Sequence, residues 1–396
     1  MIDVNVLVGA TPDLRSPEAY GLAATVGELR AHGIAHALIA SRTGVSHRSD
    51  QANEEAFAAP NQTTDLELRP VAVLNPVQCL DAGVEVARAL ERGASAFRFF
   101  PAEQGWTVDS VAFREIAEPA ARGGRPFLIS VGEFGSATRI GAATADLGVP
   151  VVLVGGHYSQ LADCLAAMRR WPHLFLETSR LGQYQGVTTV VREVGAHRLL
   201  FGSGAPYRPI MAPLNAVLAA PITAEERSAI LAGNAARLFE IDARVEALPS
   251  AVRGADLIDV HGHFGAFSLP VPRVEPDAWV ADMARHGITR TVASSIDAIQ
   301  NATEPGNREA FATASASGGA LLAYVVVNPH DLEGSCRAMD QAYRSGAAVG
   351  AKVHCQISRQ PTAGAPMRAL LREIARRERP CLIHVDGPDW AEALVA

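Results

Sequence analysis

The chain repeats itself. Ile2-Asp3-Val4 returns as Ile258-Asp259-Val260, His32-Gly33-Ile34 as His286-Gly287-Ile288, and Asn53 with Glu55-Ala56-Phe57 as Asn307 with Glu309-Ala310-Phe311. Further on, Asn75-Pro76 matches Asn328-Pro329, Arg114-Glu115-Ile116-Ala117 matches Arg372-Glu373-Ile374-Ala375, and Arg125-Pro126 matches Arg379-Pro380. The offset stays about 255 residues and the order is kept, which points to a duplicated pattern rather than to chance. The fold must then be one that fits twice into 396 residues, the second time cut short.

Within the first copy, apolar runs too short for helices alternate with longer amphipathic stretches, the pattern of parallel strands buried on both faces by crossover helices. The strands are expected at Ile2–Gly9, Ala35–Arg42, Leu66–Pro76, Ala94–Pro101, Pro126–Gly132, Pro150–Gly156, Leu174–Thr178 and Arg198–Ser203, with helices such as Pro17–His32 and Gln78–Arg92 between them. Eight β/α units over roughly 240 residues have the size of a closed, TIM-like (β/α)8 barrel. An open doubly wound sheet would carry a GxGxxG turn after the first strand, and Val8-Gly9-Ala10-Thr11 supplies none. The second copy yields five strands, Leu257–Phe264, Thr289–Ile296, Ala320–Pro329, Ala348–Gln356 and Cys381–Asp386, hence a partial barrel of the same type. Domains are expected at 1–242 and 257–396, joined by a linker at 243–256 containing Pro249, Ser250 and Gly254.

Composition narrows the partners. A formal charge of −7, without long runs of one sign, gives no footprint for nucleic acid or an anionic membrane, so a small-molecule substrate is expected. Cys79, Cys164, Cys336, Cys355 and Cys381 are scattered and lack CxxC spacing, which fits neither a disulfide framework nor a structural zinc site and favours a reducing cytoplasm. The chain opens directly into a strand-like run, Met1 to Val8, with no leader pattern and no membrane-length apolar stretch.

Barrel enzymes place their chemistry at the C-terminal ends of strands, so the residues closing each apolar run are the ones to weigh. His261-Gly262-His263 closes the first strand of the second copy, and period-two alternation aims both imidazoles into the barrel interior. His354 and His384 end two further strands. Neutral imidazole is a common ligand for a divalent ion, and the recurrence of strand-end histidines marks a candidate metal site. Lys352 and His354 are the candidate catalytic residues. Lys352 points the same way as His354 and could orient a substrate carboxylate or alter the ligand sphere, although a rim lysine snorkelling to solvent has the same signature. His32 and His286 each precede a Gly at the end of an amphipathic stretch and read as helix-end residues.

These residues resemble the amidohydrolase superfamily, in particular the amidohydrolase-related branch that includes aminocarboxymuconate semialdehyde decarboxylase-like enzymes. The resemblance spans almost the whole chain. It implies a metal site built from a strand-one HxH, one His each from strands five and six, and an Asp ending strand eight in a phrase like L-F-G-S-D-x-P. By that resemblance His261, His263 and His384 are the expected metal ligands, while the strand-six His and strand-eight Asp have no counterpart because the second copy ends first. In the first copy Asn5 and Leu7 replace the HxH, Ser130 replaces the strand-five His, and Leu200-Phe201-Gly202-Ser203-Gly204-Ala205-Pro206 has Gly204 where the Asp belongs. Only His157 remains there as a ligand candidate. Leu and Gly cannot coordinate a metal, and Ser and Asn are weak zinc ligands, so the first barrel is expected to hold no site of the family type. Glu133, Glu177, Arg98 and Arg180 close its strands, which suits a carboxylate ligand and an ordinary solvated rim equally.

The expected cofactor is a divalent metal, zinc by its affinity for imidazole and otherwise manganese. The expected function is hydrolysis of an amide, ester or lactone by a metal-activated water in the C-terminal copy. A missing strand-eight Asp removes one ligand and the usual general base together. Two other readings stay open: a non-catalytic small-acid-binding or scaffold protein, and a metal-dependent decarboxylase. A five-strand partial barrel leaves open edges that proteins normally cover. The chain is thus expected to be a piece of a longer protein, or its partial sheet to be covered by the first barrel or by a second copy in a homo-oligomer.

Overall fold

The computed structural model describes residues 1–396 apart from Pro12, Asp13, Arg15, 243–256 and 386–396. The expected linker, Asp386 and the segment Trp390–Ala396 lie outside the described residues. The chain divides into two units, Met1–Ser250 with Leu269–Val271, and Ala251–Ser268 with Pro272–Ala396.

The first unit is an eight-stranded parallel sheet in sequential order: β1 (Ile2–Val8), β2 (His36–Ser41), β3 (Glu67–Val73), β4 (Ala96–Phe99), β5 (Phe127–Ser130), β6 (Val151–Val154), β7 (Leu174–Glu177) and β8 (Leu199–Leu200). After β8 the backbone returns to β1. Val4 N–H donates to the Phe201 carbonyl at 3.0 Å, Gly204 N–H to Asn5 at 2.8 Å and Leu7 N–H to Ala205 at 2.8 Å, so the sheet all but closes as a TIM-like barrel. The eighth strand is shorter than its apolar run because Phe201 N–H turns to the Ile230 carbonyl and Gly202 N–H to the Thr178 hydroxyl instead of a ladder partner. Every second residue feeds the interior: Leu38 and Ala40, Val71 and Val73, Ala96 and Phe100, Leu128, Val152 and Val154 form one buried cluster. Arg98 lies between Ala96 and Phe100 on that inward side, as Ser130 follows Leu128.

The outward faces pack on helices whose sequences set their own limits. Ser110 caps the helix Val111–Arg122 by accepting from Phe113 N–H at 3.2 Å, and Phe113, Ile116, Ala117 and Ala120 form its buried stripe. Phe113 meets Phe99 edge-on at 5.3 Å, and Phe99 meets Phe127 at the same distance. The expected helix Pro17–His32 is broken at Gly21, whose extended backbone separates a 3-10 turn, Pro17–Tyr20, from the helix Leu22–Ala31. Among the described residues no helix is long and apolar enough to cross a membrane.

The second unit is a five-stranded parallel half-barrel: β9 (Leu257–Phe264), β10 (Ile288–Ser295), β11 (Leu321–Val326), β12 (Gly350–His354) and β13 (Cys381–His384), again in sequential order. Its core lies on the outer face, where Val325, Val327, Ala351 and Val353 pack against Met339, Met367, Leu370 and Ile374 of the helices Leu332–Ser345 and Ala365–Ala375. By alternation, Lys352 and His354 take the inner face.

Both units carry one device at matched positions. The Asn53 amide donates to the Val73 carbonyl at 2.9 Å and accepts from Val73 N–H at 2.7 Å; Asn307 and Val326 exchange the same two bonds at 2.8 Å each. The matched first strands differ in surroundings. Ile2 and Val4 are 0% exposed, whereas Ile258 and Val260 are 54% and 58% exposed, since among the described residues β9 is paired only with β10.

Candidate functional site

At the C-terminal end of β9 the two histidines converge. Gly262 faces outward between them, where an added Cβ would stand 2.5 Å from the Trp279 ring, so only glycine lets the strand lie against the helix Pro276–Arg285. The His261 and His263 Nε2 atoms are 3.2 Å apart, and His263 Nδ1 is 2.9 Å from the Ser294 hydroxyl on β10. Burial, then the Lys352 charge, pushes the His263 pKa down to about 3, and the same causes lower that of His261. Both rings are therefore neutral bases near pH 7. Two imidazole nitrogens on one tetrahedral zinc ion, each bonded at ~2.0–2.1 Å, lie about 3.3 Å from one another. The separation observed here fits that chelate, and the Ser294 contact orients the His263 ring. The pair thus suits two donors of a metal site. Among the described residues no group of three His, Cys, Asp or Glu is placed to hold one ion.

His384 lies on the other edge strand, yet close enough for its charge, after burial and Lys352, to help lower the His261 pKa. It lies opposite His354 in the β12–β13 register, and the two rings stack at 3.9 Å with an 11° interplanar angle. The structure thus brings His261 to His263 and His354 to His384. His354 also caps the short helix Cys355–Ser358, its Nδ1 accepting from Ile357 N–H at 3.3 Å. Burial, then His384 and Lys352, holds the His354 pKa down to about 4, and with Nδ1 engaged as acceptor the neutral ring carries its proton on Nε2. His354 therefore presents a donor rather than a base. Lys352 is 0% exposed and its Nζ has no hydrogen-bond partner among the described residues. Burial pushes its pKa down to about 8, against the opposing influence of Cys381 and Cys355, and its charge acts on His261, His263 and His354 alike.

In the first barrel other groups occupy the corresponding places. Leu7 belongs to the apolar interior cluster, and Ser130 accepts from Arg98 Nη2 at 3.0 Å. Glu177 is fully buried; its carboxylate accepts from Gly155 N–H at 2.6 Å, Ser179 N–H at 2.7 Å and the Ser179 hydroxyl at 2.7 Å, and burial raises its pKa against these bonds. Gly202 admits this carboxylate, since a Cβ there would collide with Glu177 Oε2. His157 is 3.0 Å from the Ser159 hydroxyl, and Glu133 pairs with Arg139 on the exposed surface. Two residues that strand-end reasoning did not single out belong to this mouth: Arg42, over the Phe100 ring at 5.7 Å, and Arg208, in the loop beyond β8. An open groove of about 460 Å³ lined by Ala35, His36, Pro60 and Glu67 lies at the opposite, N-terminal ends of β2 and β3, away from the strand ends where barrel chemistry sits.

The amidohydrolase family pattern matches residues 30–241, more than half of the chain. The chain belongs to the amidohydrolase family. The match lies on the complete barrel, so the His261–His263 pair of this amidohydrolase-family chain falls outside it. Solved structures with the same fold include an uncharacterized TIM-barrel protein from Bordetella bronchiseptica, 19% identical with a TM-score of 0.50 over 61% of this chain and 98% of that one. A candidate 2-pyrone-4,6-dicarboxylic acid hydrolase from Pseudomonas putida is 18% identical, with a TM-score of 0.50 over the same shares. A 2,6-dihydroxybenzoate decarboxylase from Rhizobium is 15% identical, with a TM-score of 0.47 over 61% of this chain and 99% of that one. None of the curated proteins matches the chain.

Proposed function

We propose that this amidohydrolase-family chain is a metal-dependent hydrolase of a small-molecule amide, ester or lactone, with its chemistry in the C-terminal unit. The supporting observation is the His261–His263 pair, two neutral imidazoles converging at 3.2 Å with the His263 ring oriented by Ser294. A divalent ion on this pair, zinc by its affinity for imidazole and otherwise manganese, would activate a water and polarise a carbonyl. Two protein donors leave positions for water and substrate. The buried Lys352 ammonium, which has no acceptor among the described residues, fits a substrate carboxylate, and His354 Nε2–H fits a carbonyl or leaving-group oxygen as donor.

The test is elemental analysis of the full chain, loaded with zinc or manganese and dialysed, beside the His261→Ala/His263→Ala variant. About one ion per chain, lost in the variant together with turnover of an ester, lactone and amide panel, is the outcome this reading requires. A wild-type chain that retains neither ion in stoichiometric amount sinks it.

A further inference from the structure

The first barrel has arginines where its metal ligands are missing. Arg98 is 4% exposed; its Nη1 donates to the Leu128 carbonyl and its Nη2 to Ser130, while the buried Nε has no partner among the described residues. At Gly204, the position of the absent Asp, an added Cβ would stand 3.2 Å from Arg208 Cδ, so the Arg208 stem covers the space an acid side chain would need. The buried Arg180 Nε is likewise without a partner, and neither Arg180, Arg208 nor Arg42 is in an ion pair among the described residues. Phe100 ties two of them together, with Arg98 at 4.2 Å and Arg42 at 5.7 Å from its ring.

The nearby carboxylate does not quench this charge. Both Glu177 oxygens are taken by Gly155 and Ser179, although its charge, with that of Glu103, is felt by Arg98 and Arg180. Arg180 and Arg208 oppose each other, and both depress the His157 pKa after burial has done so. Arg98 is buried, Arg180 half-buried and Arg208 exposed beside them; guanidiniums without an ion-pair partner favour an anion, and their planar forks match carboxylates two bonds at a time. Several such forks suit more than one carboxylate.

We propose that the mouth of the N-terminal barrel binds a small organic dicarboxylate without a metal, Arg98, Arg180 and Arg208 supplying the positive charge. This site is independent of the histidine pair. Isothermal titration calorimetry of the full chain after EDTA treatment tests it, with phthalate, succinate and inorganic phosphate as probes. The expected result is saturable binding of at least one diacid, weakened tenfold or more in Arg180→Gln and in Arg208→Gln. Binding persists in Arg192→Gln, whose side chain lies with Glu193 on the exposed surface, and in His261→Ala/His263→Ala. Among the described residues Arg180 makes no side-chain hydrogen bond that folding would lose, and unchanged thermal unfolding of both arginine variants separates lost binding from lost structure. No saturable diacid binding, equal binding by the arginine variants, or phosphate binding tighter than either diacid would each overturn the proposal.

Discussion

Arg98 and Lys352 hold the same place in two sheets, each opposite the third-strand valine that an asparagine ties down, Val73 and Val326, yet among the described residues only Arg98 finds acceptors. A buried ammonium with no partner costs stability and is retained where function needs it. Lys352→Met is therefore expected to stabilise the full chain at pH 7 by about 1–3 kcal/mol while abolishing turnover. The sign with pH follows from the depressed pKa. Below about pH 8 the lysine is charged in both states and its cost is fully present; between about 8 and its ordinary 10.5 only the unfolded chain holds the proton, so wild-type stability rises. The gap between wild type and Lys352→Met should shrink by up to about 3 kcal/mol across that window. Thermal unfolding of both proteins at pH 7 and pH 10 checks this, and a gap that does not change with pH contradicts it.

The Ser294 hydroxyl stands 2.9 Å from Nδ1 of His263, one of the proposed ligands. Removing the hydroxyl by Ser294→Ala frees the ring to reorient, and the expected effect is a loss of roughly 10-fold or more in zinc affinity without change in fold. Competition titration against a zinc chelator reads the affinity. Unchanged affinity would mean that the 2.9 Å contact does not fix the ring.

The paired asparagines allow a matched comparison. Asn53→Ala leaves the Val73 N–H and carbonyl without partners, and Asn307→Ala does the same to Val326. Each is expected to cost about 2–3 kcal/mol in urea unfolding of the full chain. A silent Asn307→Ala beside a damaging Asn53→Ala would show that the bonds at Val326 do not hold the half-barrel together.

The fold was legible because a parallel strand buried on both faces writes itself as an apolar run, and each of the thirteen runs chosen in that way overlaps a strand. Strand ends were not. The run Arg198–Ser203 looks like β8, but the backbone after Leu200 bonds to Ile230 and Thr178 rather than to a ladder, and no residue type announces that. His261 and His263 were readable as a pair because two residues apart on a strand means one side of it. His384 reads identically in sequence, and only the third dimension shows its ring stacked on His354 of the neighbouring strand β12. Ser294 lies inside an apolar run and Arg208 in a loop, so periodicity says nothing of either. Arg208 gains its place from the side chain that Gly204 lacks, which is a property of two residues at once.

Closure of the first barrel also sets a schedule. The bonds from Val4, Asn5 and Leu7 reach partners at Phe201, Gly204 and Ala205, so the first strand to be synthesised is among the last to be completed. At about 5–20 residues per second that interval lasts roughly 10–40 s. During it, the apolar edge of Ile2–Val8 is open to any extended segment nearby, including the kindred strand Leu257–Phe264 of another nascent chain. Ribosome spacing and translation speed over the first two hundred codons are thus as much a part of how this protein reaches its native form as the contacts it finally makes.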